Sequence, residues 1–279
     1  MITIHTLVDN AVQRSSALWG EHGVSFGIDS SDGRILFDTG QSGSVLVHNA
    51  ALMDIHLDQF DALAISHAHY DHTGGLRKFL TYAKPGLPLY ANPGLFQERF
   101  SIRGGKPESI GLRLTQDQLS ERLDLRLQAK PTEILPGVWT TGEITGRLEF
   151  EGSSPNHKIQ VNGRWLPDPY LDDLSLIVDA KDGLIVICGC CHAGLLNTLM
   201  HIHNNFHKKF HAIIGGMHLA STSLENLKHT VDIIKFYSRE GVISLYPNHC
   251  TGENAYIVLA QAFGEQVRPC PAGTRLGFD

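Results

Sequence analysis

The chain has 279 residues, of which 42% are hydrophobic, so it is long enough to bury a large core. Its net charge of −6 disfavours a surface that binds nucleic acid. No apolar run is long enough to cross a bilayer, and the first residues lack the pattern of a signal peptide. Five cysteines, three of them at Cys188, Cys190 and Cys191, do not resemble a secreted disulfide framework. We therefore expect a reduced, cytoplasmic protein without a membrane partner.

The first ninety residues predict alternating strands and helices. The expected elements are a strand at 1–8, a hairpin at 24–37 around the Asp32-Gly33 turn, a helix at 44–57, a buried strand at 62–65, a helix at 76–82 and a short strand at 87–90. Helices and strands that alternate in this way are typical of an α/β fold.

The second half of the chain repeats the pattern of the first. Residues 25–37 and 175–187 share Ser, Asp, Asp-Gly and the apolar positions, and the same register continues from 60–66 to 210–216. A register that holds across a helix indicates a structural repeat. Two halves, each with a sheet that needs cover on both faces, predict a four-layer αββα sandwich. We expect one domain over 1–279, in which a variable substrate-loop region at about 93–173 interrupts the repeat.

Three histidines and an aspartate follow the strand at 62–65 within six positions: His67, His69, Asp71 and His72. Because side chains of a strand alternate, His67 and His69 should leave its end on the same side. Neutral imidazole and carboxylate are ligands of zinc, iron and manganese. The stretch therefore predicts most of a metal site.

Three more histidines follow apolar strands in the second half. His192 follows the strand at 184–188, His218 follows the one at 212–214, and His249 follows the one at 242–246. The repeat should bring these loops to the same rim of the sandwich as the first cluster.

The stretch His67 to His72 resembles the H-x-H-x-D-H signature of the metallo-β-lactamase superfamily. That resemblance implies the αββα fold and two divalent metal ions, zinc first, with iron, manganese or magnesium as alternatives. It also implies His67 and His69 at the first metal, and Asp71 and His72 at the second. By chain order it assigns His192 to the first metal and His249 to the second. Asp71 is the candidate catalytic carboxylate.

The sequence departs from the family pattern at the position that bridges the two metals. Candidates there are His218, Cys190, Cys191 and one of Asp172 or Asp173. We favour His218 as a metal ligand or as a donor to one of the ligands, and a buried core role for both cysteines.

Two carboxylates are expected to support the ligands rather than bind metal. Asp38 lies in Asp38-Thr39-Gly40, which resembles the D-T-G segment of the family, and should accept the spare N–H of a ligand histidine. Asp173 is the second supporting candidate.

The variable region carries a group of cations, Arg99, Arg103 and Lys106, with Arg113 nearby. Beside a metal site they would clamp a phosphate of a small-molecule substrate, and the alternative is an ordinary solvated surface. Four aromatic residues could form a stacking wall or simply fill the core: Phe96, Phe100, Trp165 and Tyr170.

The motifs around the later histidines resemble one branch of the superfamily, in which a dihydropterin diphosphate is joined to an aryl amine. The motifs are Gly-Cys-Cys-His-Ala-Gly at 189–194, Gly-Gly-Met-His-Leu at 215–219 and Asn-His-Cys-Thr-Gly at 248–252. This resemblance implies a metal-dependent hydrolase or transferase that acts on a phosphorylated or pterin-like molecule. The alternatives are a phosphodiesterase or lactonase-type hydrolase, and a metal-binding module without turnover.

Overall fold

The computed structural model describes residues 1–149 and 152–279. Within these residues the strands are β1 (Ile2–Val8), β2 (Ser25–Ser30), β3 (Gly33–Phe37), β4 (Ala62–Ala64), β5 (Leu87–Ala91), β6 (Arg99–Arg103), β7 (Lys106–Ser109), β8 (Leu123–Leu127), β9 (Thr132–Leu135), β10 (Val138–Thr140), β11 (His157–Val161), β12 (Arg164–Pro167), β13 (Ser175–Ala180), β14 (Gly183–Cys188), β15 (Phe210–Gly216), β16 (Ser244–Asn248) and β17 (Arg275–Phe278). The helices are α1 (Ser44–Leu52), α2 (Tyr70–Thr73), α3 (Leu76–Phe79), α4 (Gln116–Ser120), α5 (Leu195–Phe206), α6 (Leu224–Tyr237) and α7 (Glu253–Phe263).

The strands form two large sheets and one small one. The first sheet has the order β17-β1-β2-β3-β4-β5-β8, and the second has the order β16-β15-β14-β13-β10-β9. The third, with the order β12-β11-β6-β7, is built entirely from the region that interrupts the repeat. That region also supplies β8 to the edge of the first sheet and β9 and β10 to the edge of the second, so it is more than a set of loops.

Three apolar clusters define four layers, as the sequence predicted. The central cluster joins the facing sides of the two large sheets, with Phe26 and Ile35 from the first sheet and Leu176 and Ile187 from the second. A second cluster packs α1 and α3 against the outer face of the first sheet. A third packs α5, α6 and α7 against the outer face of the second. Strands covered on both faces need apolar residues at successive positions, which explains the continuous run at β14.

The pairing register confirms the repeat that the sequence indicated. In the first half, β2 and β3 form an antiparallel hairpin, and β3 then pairs in parallel with β4, so that Ile35 lies opposite Ala62. In the second half, β13 and β14 form the corresponding hairpin, and β14 pairs in parallel with β15, so that Ile185 lies opposite Ala212. Both halves therefore end their parallel strands at one rim.

Two predicted helices are shorter in the structure. The helix expected at 44–57 is α1, which ends at Leu52 and is followed by a 3₁₀ turn at Leu57–Gln59. The helix expected at 76–82 is α3, which ends at Phe79. Among the residues that the structure describes, no helix is both long enough and apolar enough to cross a membrane.

Candidate metal centre

The loops after the parallel strands bring seven buried side chains into two donor groups. The first donor group is His67, His69 and His192. The second donor group is Asp71, His72, Cys190 and His249. Within each group the candidate ligand atoms lie within 4.8 Å of one another. Six of the seven residues that the sequence proposed as metal ligands are among them.

The loop that carries His67, His69, Asp71 and His72 is held in place by the segment Asp38-Thr39-Gly40. Both the N–H and the hydroxyl of Thr39 donate to the carbonyl of His72, at 2.8 Å and 2.9 Å. A Cβ on Gly75 would lie 2.1 Å from the carbonyl oxygen of Thr39, so only glycine permits this approach. The two segments are thereby fixed against each other, with Asp38 beneath His72.

Asp38 is fully buried and supports two candidate ligands, His72 directly and His67 through the hydroxyl of Ser66. Its Oδ1 accepts the backbone N–H of Ser66 at 2.8 Å, and its Oδ2 accepts the Ser66 hydroxyl at 2.7 Å. Asp38 Oδ2 also lies 2.7 Å from His72 Nδ1. Asp38 thus occupies the supporting position that the sequence proposed for it.

Four of the five histidines in the donor groups have a polar partner at Nδ1, which leaves Nε2 as the candidate ligand atom. The Nδ1 partners are Ser66 Oγ for His67 (2.9 Å), Asp38 Oδ2 for His72 (2.7 Å), the Gly152 carbonyl for His192 (3.0 Å) and Asn10 Oδ1 for His249 (3.1 Å). The Nε2 atoms of His67 and His69 are buried without a hydrogen-bond partner, and His249 Nε2 lies 3.4 Å from Asp71 Oδ2. Buried polar atoms are seldom left unpaired, so these donors fit a metal ion.

The charge states of the first donor group also suit metal binding. Burial lowers the pKa values of His67, His69 and His192 well below the usual range of histidine, so the rings are neutral and keep a lone pair. Burial opposes ionisation of Asp71, but the neighbouring His72 and His249 outweigh it and hold the pKa of Asp71 well below its usual range. Burial opposes protonation of His72, but Asp71 and Asp38 raise its pKa to about 10, so a metal ion bound at the second donor group would displace a proton from His72.

The bridging position differs from the expectation. Cys190 Sγ lies 3.2 Å from His72 Nε2 and belongs to the second donor group, so Cys190 is not simply a core residue. Cys191 has a φ of 58° and packs among the helices of the second sheet, as expected. His218, which the sequence favoured, is in neither donor group. Its ring centroid lies 4.2 Å from that of His192, and its Nε2 is buried without a hydrogen-bond partner.

The adjacent acids Asp172 and Asp173 hold the two loops of the first donor group. Asp172 Oδ2 accepts the N–H of Ala68, between His67 and His69, at 2.8 Å. Asp173 Oδ2 accepts the N–H of Ala193, which follows His192, at 2.8 Å. Burial raises the pKa of Asp172 to about 6 and that of Asp173 to about 7. Asp173 therefore supports the ligands through the backbone, not through an imidazole.

Arg99 is not available to a substrate, contrary to the sequence prediction. Its side chain is 2% exposed, with Nε 3.1 Å from Asp168 Oδ2 and Nη2 2.6 Å from Asp172 Oδ1. Nη1 donates to the carbonyls of Gly94 and Gln97. The guanidinium is thus fully paired in a buried network, and Asp172 connects this network to the loop that carries His67 and His69.

The two other predicted cations are exposed on the β6–β7 hairpin, where Arg103 lies opposite Lys106. Arg103 lines a cavity of about 130 Å³ that is also lined by members of both donor groups. Lys106 is not among the described residues that line it.

Residues that the sequence analysis did not propose for the site also line this cavity, among them His22, His157 and Cys250. His22 Nε2 lies 3.3 Å from Asp71 Oδ2. His157 and Cys250 also line an adjoining cavity of about 660 Å³. Each is an isolated residue in a loop or at a strand end, without a spacing pattern that would mark it in advance.

The four aromatic residues of the proposed wall are dispersed. Tyr170 stacks on His192 with ring centroids 4.6 Å apart and planes at 3°, so it lies against the first donor group. Phe100 and Trp165 contact each other on the third sheet. Phe96 packs against the helical layer of the first sheet.

Comparison with known proteins agrees with this architecture. A family model described as the metallo-beta-lactamase superfamily matches residues 19–158. The 7,8-dihydropterin-6-methyl-4-(beta-D-ribofuranosyl)-aminobenzene-5'-phosphate synthase of Methanocaldococcus jannaschii is 31% identical over 289 aligned residues, which cover 99% of this chain and 97% of that protein.

Two solved structures show the same fold. The crystal structure of Tm1679, described as a metal-dependent hydrolase of the beta-lactamase superfamily, has a TM-score of 0.84 at 29% identity and covers 100% of both chains. Zn²⁺-bound PqqB from Methylobacterium extorquens has a TM-score of 0.58 at 11% identity, with 99% of this chain and 100% of that chain covered, so it supports the fold alone. The sequence match, the αββα layers and the two donor groups lead to one conclusion: this chain is a member of the metallo-β-lactamase superfamily.

Proposed function

We propose that the chain is an enzyme that holds one divalent metal ion in each donor group and acts on a phosphorylated small molecule. The observation that carries this proposal is the pair of buried donor groups that border a single cavity. Zinc fits both groups, because its protein ligands are imidazole, thiolate and carboxylate. The thiol of Cys190 disfavours magnesium at the second group, since magnesium prefers oxygen ligands.

The two donor groups differ in a way that suggests separate roles. The first offers three imidazoles, which is the donor count of a catalytic zinc site that keeps a position open for water or substrate. The second offers four protein donors, which can complete a tetrahedron without solvent. Metal ions bound here would polarise a phosphoryl oxygen and acidify a bound water.

The residues of the chain would then position and neutralise the substrate. Arg103 places a cation at the cavity that members of both donor groups line, where a phosphate or diphosphate could pair with it. Asp71 and His22 also line this cavity, with His22 Nε2 3.3 Å from Asp71 Oδ2, so both could contact the substrate.

The finer hypothesis is a transfer to an aryl amine, and it rests on the relative from Methanocaldococcus jannaschii. The amine nitrogen would form a bond to the methylene carbon of the dihydropterin, while the bond from that carbon to the diphosphate oxygen breaks. The diphosphate leaves as an anion, and the amine proton is lost to solvent. A second candidate is hydrolysis of a phosphodiester or a lactone. It is favoured by the three-histidine group and by the likeness to Tm1679, which is described as a metal-dependent hydrolase.

The two reactions are separated by supplying each substrate to the zinc-loaded protein. A dihydropterin methyl diphosphate is tested with and without an aryl amine, and release of diphosphate is followed. Bis(4-nitrophenyl) phosphate is tested for release of nitrophenolate. Release that depends on the amine supports the transferase, whereas nitrophenolate without amine supports the hydrolase. No turnover of either substrate by protein that holds both metals would instead favour a metal-binding module.

Variants locate the reaction within the molecule. His192→Ala should abolish turnover through loss of the first donor group. Arg103→Ala should raise the KM for the phosphorylated substrate, whereas Lys106→Ala, the matched cation outside the cavity lining, should not. Equal KM values for the two cation variants would remove Arg103 from the proposal.

A further inference from the structure

His157 occupies the junction between the two cavities at the site. It begins β11 in the third sheet and lines both the cavity of about 130 Å³ and the adjoining cavity of about 660 Å³. Its ring centroid lies 5.1 Å from that of His69 and 6.0 Å from that of His192. His157 nevertheless belongs to neither donor group. It is therefore placed to meet a substrate that reaches the metal ions from the larger cavity.

The hydrogen bonds around Tyr170 indicate which nitrogen of His157 carries the proton. The backbone N–H of Ser154 donates to Tyr170 Oη at 3.1 Å, so this oxygen already accepts one bond. Tyr170 Oη also lies 2.9 Å from His157 Nδ1. A buried phenol satisfies its single proton by donating it, and Nδ1 is the acceptor within reach. His157 Nδ1 is then unprotonated, and the proton of the neutral ring lies on Nε2.

Tyr170 is itself held rigidly. Its backbone N–H donates to Asp168 Oδ1 at 2.8 Å, its ring stacks on His192, and its φ of 47° is left-handed. A tyrosine keeps such a conformation only where its surroundings impose it. The segment that carries Ser154 also supplies the Gly152 carbonyl to His192 Nδ1. The same stretch of chain thus orients a histidine of the first donor group and, through Tyr170, the ring of His157.

From this geometry we propose that the Nε2–H of His157 donates a hydrogen bond to an anionic oxygen of the substrate phosphate or diphosphate. Tyr170 is the positioning residue that sets this tautomer. The inference rests on the proposed function, because it assumes a phosphorylated substrate. The neutral N–H of His157 would add a directional hydrogen bond to the charge that the exposed cation Arg103 supplies at the same cavity. The residues of the variable region would then define the substrate class.

The tautomer is tested first, because it can be measured without turnover. Long-range ¹H–¹⁵N NMR spectra of the zinc-loaded protein, labelled at histidine, should show His157 protonated at Nε2. In Tyr170→Phe the two tautomers should mix, since the proton donated to Nδ1 is gone. Protonation of His157 at Nδ1 in the wild type would overturn the proposal whatever the substrate.

Binding is tested with inorganic diphosphate by calorimetry, at equal zinc content. We expect His157→Ala to weaken the affinity about tenfold, the loss of one hydrogen bond to a charged group. Tyr170→Phe should weaken it less. His56→Ala removes an exposed histidine outside both cavities and serves as the control.

The outcomes distinguish this inference from the proposed function. If the wild type binds diphosphate and His157→Ala binds it equally well, the role of His157 is wrong while the proposed function stands. If the wild type with both metals does not bind diphosphate, both proposals fail. Should Tyr170→Phe not fold, His157→Ala and the wild-type spectrum still decide the matter.

Discussion

Replacing Arg99 by methionine tests the assignment of this residue to a buried network. Methionine preserves much of the length of the side chain but removes its charge. The substitution would leave Asp168 and Asp172, whose side chains are 0% and 1% exposed, without their partner. It would also remove the donor to the carbonyls of Gly94 and Gln97.

The expected loss of stability is large. Removal of one partner from a buried ion pair costs about 3–5 kcal/mol, because the remaining charge stays buried without compensation. Here two carboxylates lose the same partner, but Asp172, whose pKa is already about 6, can take up a proton once the guanidinium is gone, so the loss should stay within this range. Folded domains are typically stable by about 5–15 kcal/mol, and Arg99→Met should therefore remove a major share of the free energy of unfolding.

Urea denaturation followed by circular dichroism measures this effect. The matched control is Arg103→Met, on the same strand but exposed, which should change the free energy of unfolding by no more than about 0.5 kcal/mol. If Arg99→Met were as stable as the wild type but bound diphosphate less tightly, Arg99 would be a substrate cation after all. The reasoning from its buried ion pairs would then be refuted.

Two further substitutions address the second donor group. In protein loaded with cobalt, Cys190→Ser should eliminate the thiolate-to-cobalt charge-transfer band, while the first donor group keeps its metal. An unchanged band would show that another cysteine supplies the thiolate. Asp38→Asn should lower the zinc affinity of the second group by about 10–100-fold in competition with a chelator, because His72 Nδ1 loses its carboxylate. An unaltered affinity would show that Asp38 does not support His72.

The parts of the site that the sequence predicted are those fixed by local geometry. His67, His69, Asp71 and His72 lie on one turn after a short strand, so their spacing alone brings them together. The repeat predicted the positions of the later histidines, because parallel strands that pair in a common register end at one rim of the sheet.

The parts that the sequence missed depend on contacts between distant segments. Arg99 and Asp172 are 73 positions apart, and no local pattern distinguishes a buried arginine from a solvated one. Cys190 and Cys191 are neighbours in the chain, but the left-handed backbone at Cys191 separates the donor from the core residue. The position of His157 depends on the pairing of β11 with β6 in the third sheet. This sheet lies in the region that interrupts the repeat, so the repeat could not predict it.

The most direct test of the account is the metal content per chain, measured by elemental analysis on the wild type, His192→Ala and His249→Ala. The account predicts about two metal ions in the wild type and about one in each variant, with the first group emptied by His192→Ala and the second by His249→Ala. A single metal ion in the wild type, lost in one variant and retained in the other, would contradict it.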